Sequence, residues 1–262
     1  MSASSQKPAA EPTMGDRILA RAGLRDAYVA RLATAPADIR AAQALRFEVF
    51  NLELNEGLEQ SFATCLDADP FDEVCDHLIV EDARTRQVVG TYRLQMGATA
   101  AARRGYYSAQ EFDFTPFEAL RAQIVELGRA CVHRDHRNIA VLALLWKGIA
   151  AYARERGGRY LIGCSSLTSQ DPVEGATMYA ELQRKHLVEP PWRTAPLAAV
   201  ACPLDRVSQK PPKVPKLLAA YLSVGAKICG PPAIDREFKT IDFLTFLDLV
   251  TLPESTVRRY LS

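Results

Sequence analysis

Three features of the sequence predict an α/β (α+β) fold with a central mixed, twisted sheet and flanking helices. Residues 122–156, AQIVELGRACVHRDHRNIAVLALLWKGIAAYARER, change from strand-like alternation to a helical stripe across one polar turn. Residues 77–82 and 88–96 alternate on either side of the polar turn ARTRQ, as an antiparallel hairpin does. A mostly apolar run at 159–167 follows the helix, which makes that helix a crossover and its two strands parallel neighbours.

Taken in order, residues 1–15 are rich in Ser, Ala and Pro and read as a disordered tail. Residues 16–262 read as a single domain with a C-terminal extension from about 208. Residues 17–24 suit a short amphipathic segment, and 28–33 alternate as a first strand. Pro36 and Asp38 open a helix whose stripe is Ile39, Ala42, Leu45, Val49 and Phe50. Arg46 lies on or beside that stripe, where a snorkelling surface role is favoured over a pocket lining. Residues 51–75 form a long loop ending in LDADPFDEVCDH. Its aspartates lack the Gly turn and terminal Glu of a calcium loop, so no metal is expected.

The central unit has its own punctuation. Asn138 is a good N-cap, Gly157-Gly158 ends the helix, and Arg154 and Arg156 suit its negative end. A strand feeding a helix through a short turn exposes free N–H groups to an anion, and Arg134 and Arg137 add charge there. Solvated arginines in a turn that binds nothing would look the same. Glu126 and Arg129 are charges inside an apolar strand, costly unless paired or used, and Gly128 between them suits a bulge that re-aims one of them. Beyond the unit, Asp171-Pro172-Val173-Glu174 starts another helix, Pro196 to Cys202 suits a strand, an apolar helix follows KPPKVPK, and 241–250 is a last strand.

Composition bounds the partners. The 262 residues carry a net charge of +1, which excludes bulk polybasic nucleic-acid binding. Six cysteines show no metal or redox spacing, and no apolar run of about 18 residues spans a membrane. A reduced, cytoplasmic protein is the expectation, with peripheral contact to the inner membrane face kept open through the apolar, Lys-flanked segment after residue 216.

The strand–turn–helix unit resembles the GNAT acetyltransferase-like superfamily, and ELGRACV resembles the Glu-x-x-Arg strand of its acyl-homoserine-lactone synthases. The pattern Pro-x-Ile-Asp-x-x-Phe-x-Thr-x-Asp near the C-terminus resembles the bacterial ornithine N-acyltransferases, the hemolysin-like family. The resemblance spans roughly residues 28–250. It implies middle strands that splay apart, with the acyl arm of the donor in the V between them. Arg137 matches the turn pattern, while Ala140 and Leu142 replace its glycines, a departure that fits donors borne by acyl carrier protein. No permanently bound cofactor is implied; the donor is acyl-phosphopantetheine on acyl carrier protein.

Residue by residue, the resemblance implies Glu126 as base, Arg129 as a holder of the acceptor carboxylate or of the Asp69–Asp72 loop, and Tyr179 as proton donor to the leaving thiolate. The donor would meet Cys131, Val132, Arg134, Arg137, Asn138, Ile139, Ala140 and Lys147. The acceptor would meet Arg46, Asp69, Asp72, Arg93, Ser165 and Asp235. Trp146 and the Phe112–Phe117 region are candidates for the acyl pocket, and His77 is read as structural. The expected activity is transfer of a (3-hydroxy) fatty acyl group to the α-amino group of L-ornithine, giving lyso-ornithine lipid. Acylation of glycine, lysine or another amine, and a non-catalytic acyl-carrier or lipid-binding module, are the alternatives.

Overall fold

The computed structural model describes residues 18–22, 27–210 and 212–260; the expected tail at 1–15 lies outside them. The strands are β1 (Ile18–Ala22), β2 (Tyr28–Leu32), β3 (Asp76–Asp82), β4 (Val88–Met96), β5 (Ile124–Val132), β6 (Tyr160–Leu167), β7 (Lys227–Ile228), β8 (Ala233–Asp235) and β9 (Thr240–Asp248). They form one sheet in the order β1-β2-β3-β4-β5-β6-β9-β7, with β8 also on β9. The main helices are α1 (Pro36–Phe47), α2 (Gly97–Ala102), α3 (Ile139–Arg156), α4 (Pro172–His186), α5 (Lys216–Ser223) and α6 (Glu254–Tyr260). Among the described strands β5 and β6 pair in parallel and the other pairs are antiparallel.

Local chemistry explains the central unit. Asn138 accepts from the Val141 N–H at 3.1 Å, which caps α3, and Gly157 at φ 73° ends it in the left-handed conformation that favours glycine. The apolar stripe of α3, with Val141, Leu144, Leu145 and Ile149, packs on Leu78, Val80, Tyr92, Leu94 and Val125. The opposite sheet face carries two clusters: Ala42, Leu45 and Val49 on Ile79 and Cys131, and an aromatic group around Phe112, Phe117 and Phe246. Phe117 and Phe246 stack at 5.8 Å, so the Phe112–Phe117 region is core rather than acyl pocket.

The middle of the sheet opens. β5 and β6 pair from Ile124↔Tyr160 to Glu126↔Ile162 and no further. Beyond that point β5 continues along β4 to Val132, and β6 continues along β9 to Leu167. Each strand keeps its outer neighbour while the inner edges part. Gly163 sits where they separate, and a methyl there would run into the Leu127 carbonyl. Gly163→Ala should therefore push the strands apart and cost about 1–3 kcal/mol, read as a lower denaturation midpoint at unchanged slope.

Two expectations need correction. Residues 18–22 are an edge strand paired with β2, not an amphipathic segment. Pro196 to Cys202 is no strand: isolated bridges at Pro196 and Ala201 flank a turn closed by Val200 N–H on Leu197 O. The short apolar helix expected after KPPKVPK is α5, which ends at Ser223, and Gly225 at φ 103° turns the chain into β7. No helix among the described residues is long and apolar enough to cross a membrane.

Candidate active site

β5 carries the bulge that Gly128 suggests. Arg93 faces Gly128 and Thr91 faces Cys131, so β5 holds one extra residue there, and Arg129 adopts φ 49°. That conformation is costly for a side-chain-bearing residue. It brings the Arg129 guanidinium onto the face shared by Glu126 and Arg93, which regular alternation would forbid. Glu126 is buried, and its two carboxylate oxygens accept from the backbone N–H groups of Tyr107 at 2.9 Å and Ser108 at 2.8 Å. Burial pushes its carboxyl above the ordinary value, and the two N–H bonds pull partly against that.

The three arginines of this face hold the acidic loop. Arg129 Nη2 bonds Asp69 at 2.8 Å, and Arg93 Nη1 bonds Asp69 at 2.7 Å and Asp72 at 2.9 Å. Arg46 donates from Nε to Asp67 at 2.9 Å and from Nη2 to Asp72 at 2.5 Å. Arg46 is fully buried, so the favoured surface reading is wrong: the stripe of α1 carries a charge because a pre-paired acidic loop receives it. Of the two roles open to Arg129, the structure displays the tether to the loop. The arginines also layer on aromatic rings, Arg93 over Tyr107 at 5.0 Å and Arg129 over Phe238 at 3.9 Å. His77 is structural, with Nε2 on the Asp72 carbonyl at 3.1 Å.

These pairs make stability depend on pH. Against the opposing cost of burial, the neighbouring guanidinium charges hold the Asp69 and Asp72 carboxyls below their ordinary value. A depressed folded-state pKa contributes stability that is complete above the unfolded value of about 3.9 and is lost as pH falls below it. Thermal melts should lose midpoint steeply below about pH 4, and Asp72→Asn should flatten part of that slope while lowering the plateau.

The turn after β5 is partly committed as well. Arg137 makes a two-pronged ion pair with Glu53 and donates to the Val132 carbonyl at 3.1 Å. Glu53 ends a wide π-type helical turn, Glu48–Glu53, that continues α1. Arg134 and Ile139 are exposed, whereas Cys131 lies in the core beneath α1. Ala140 and Lys147 are half-buried on α3, and Val132 packs at the rim of the α3 core.

Two expected residues fall on the other face. Ser165 alternates away from Cys164 and meets Thr245 Oγ1 at 3.3 Å. Tyr179 packs with the cluster of Met178, Leu182 and Phe243, the residue facing Ser165, and so lies across the sheet from Glu126. Asp235 closes a turn, accepting from the N–H groups of Glu237 and Phe238 at 2.8 Å.

A narrow apolar cleft, with room for about 30 Å³, occupies the parting of β5 and β6. Leu127, Trp146, Leu161, Tyr221, Ala226 and Leu247 line it, and Gly163 and Cys164 form its edge. Trp146 is thus a cleft residue, set edge-on to Tyr221 at 5.5 Å. Beside Cys164 stand two acids that sequence reasoning passed over, Glu111 and Asp242, both nearly buried. Burial raises both carboxyls, joined at Glu111 by the charges of Asp242 and Asp235 and at Asp242 by those of Asp235 and Glu56. Asp242 was detectable as a carboxylate within a strand buried on both faces, and it is the last residue of the C-terminal motif.

A family model described as the acetyltransferase (GNAT) domain matches residues 45–147. The L-ornithine N(alpha)-acyltransferase of Brucella abortus (strain 2308) is 34% identical over 252 residues, covering 88% of this chain and 86% of that protein. The L-ornithine N(alpha)-acyltransferase of Rhodobacter capsulatus is 33% identical over 240 residues, covering 87% and 92%. Among solved structures, FeeM, an N-acyl amino acid synthase from uncultured soil microbes, matches with TM-score 0.52 at 14% identity, covering 86% of this chain and 91% of its own. The AHL synthase LasI matches with TM-score 0.50 at 10% identity, covering 90% and 95%. At those identities the structural likeness is one of fold.

Proposed function

The chain belongs to the L-ornithine Nα-acyltransferase family on the GNAT fold, and we propose that it moves a fatty acyl group from acyl carrier protein to the α-amino group of L-ornithine, giving lyso-ornithine lipid. The observation that carries this reading is the parting of β5 and β6 directly after Glu126, with an apolar cleft in the gap. A thioester arm entering the V brings its carbonyl to the freed inner edge of β5, where unpaired backbone groups can take the oxyanion. The acyl chain lies along Leu127, Trp146 and Tyr221.

The acceptor amine must lose a proton before it attacks, since an α-amino group is mostly protonated at neutral pH. Glu126, raised by burial and oriented by its two N–H bonds, takes that proton directly or through a water. The C–N bond forms and the C–S bond breaks; of the two protons the ammonium nitrogen gives up, one passes by way of Glu126 to the departing thiolate and the other leaves to solvent. Tyr179, on the opposite face, has no step in this scheme. Arg134, with the exposed Ile139 beside it and Lys147 along the same helix, offers a docking patch for an acidic carrier protein bearing the phosphopantetheine phosphate.

Donor choice is tested by following thioester loss from acyl carrier protein and from CoA, each with L-ornithine. The reading expects 3-hydroxyacyl carrier protein to be consumed. Consumption of acyl-CoA or acetyl-CoA with the carrier thioester left intact refutes it.

A further inference from the structure

Glu111, Cys164 and Asp242 come together from three parts of the chain: the segment after Ser108–Gln110, β6 and β9. One ligand atom from each lies within 4.8 Å of the others. Cys164 Sγ donates to Glu111 Oε2 at 3.9 Å, and Asp242 Oδ1, on a side chain only 5% exposed, has no hydrogen-bond partner among the described residues. A buried carboxylate oxygen left unpaired is costly, and such groups call for a missing partner. Asp235 stands behind the pair and adds its charge to both acids. The cation that acts on Glu111 is Arg129, already bonded to Asp69.

The position of this cluster says what the partner is. Register places Glu126 opposite Ile162, Cys164 two residues further along β6, and Asp242 opposite Ser166. These residues share one face, so a row of acids runs along β6 away from the thioester position. Cys164, which edges the cleft, is the link between its ends. An acceptor with its α-amine at Glu126 would extend its side chain along that row.

We propose that Glu111 and Asp242, backed by Asp235, receive the side-chain ammonium of the acceptor and so select a diamino acid; this rests on the acyl-transfer reading above. With no cation bound, two facing carboxylates in a dry site cannot both ionise cheaply, and a buried ammonium removes that conflict while filling the empty acceptor on Asp242. A metal fits less well. A metal ligand must be thiolate, and burial beside two acids holds the Cys164 thiol well above its ordinary value.

The test compares L-ornithine with L-norvaline, which has the same carbon skeleton without the terminal amine, using full-length enzyme and acyl carrier protein thioester. Wild type should favour ornithine by on the order of 10²-fold or more in kcat/KM, because norvaline leaves the acids unpaired. Glu111→Gln and Asp242→Asn should cut that preference by about tenfold or more, through KM for ornithine. Ornithine should raise the wild-type melting temperature and norvaline should not, a readout that needs no variant. An undiminished preference in the folded variants, equal use of both acceptors by wild type, or a stoichiometric metal that Asp242→Asn loses would each overturn the subsite alone. Wild type that leaves the carrier thioester intact with both acceptors would overturn the parent reading, and the subsite with it.

Discussion

Replacing Glu126 by Gln should lower kcat for amide formation by about 10²–10⁴-fold, the usual worth of a positioned general base. The substitution keeps the volume and one acceptor oxygen, yet Gln can serve only one of the two N–H groups of Tyr107 and Ser108 that Glu126 now serves. Some stability loss, about 1–3 kcal/mol, accompanies it. Two readouts separate a base from a mere anchor of the 107–108 segment. A base loses kcat with little change in KM for ornithine, and it removes the acidic limb of the kcat/KM profile. In wild type that limb should stand above the ordinary carboxylate value of 4.5, because burial raises the Glu126 carboxyl and activity is lost as pH falls through its pKa. An anchor would leave the shape of the profile unchanged.

Arg46→Ala, on α1, should be the most destabilising single change in the network that holds the acidic loop. It deletes the closer of two guanidinium partners of the fully buried Asp67 and one of two of Asp72, leaving charge under-compensated in a dry interior. Breaking a buried pair from one side costs about 3–5 kcal/mol. For a chain of this size that is a fall of roughly 10 °C in melting temperature, read by calorimetry or circular dichroism. Arg46→Lys should recover part of it, since an ammonium restores charge but not the two-sided fork. A fall of under about 2 °C for the alanine variant would contradict the view that this network fastens the loop to the sheet.

The parts legible in the sequence are those whose cause is local. The Asn138 cap, the Gly157 stop and the α3 stripe are written within one 35-residue window, residues 122–156, and the structure has them. The bulge was readable because Gly128 separates two charges that a regular strand cannot aim together, and Arg129 takes the conformation that joins them. Partnerships across long separations were less visible. Arg46 looks like a snorkelling helix residue until Asp67 and Asp72 arrive from the loop. β1 has five residues and no strand signal of its own; its pairing with β2 makes it a strand. Glu111 and Asp242 meet only because the aromatic segment before β5 folds back over β9. Tyr179 and Ser165 lie on the face opposite Glu126, a placement that position along the chain does not reveal.

The most direct test is mass spectrometry of lipids from cells that make this protein, beside cells that make the Glu126→Gln variant. The account predicts a new lipid in the wild-type cells alone, with one fatty acyl chain in amide linkage to the α-nitrogen of ornithine. Wild-type protein that is folded and abundant while no N-acylated amino acid appears would contradict it.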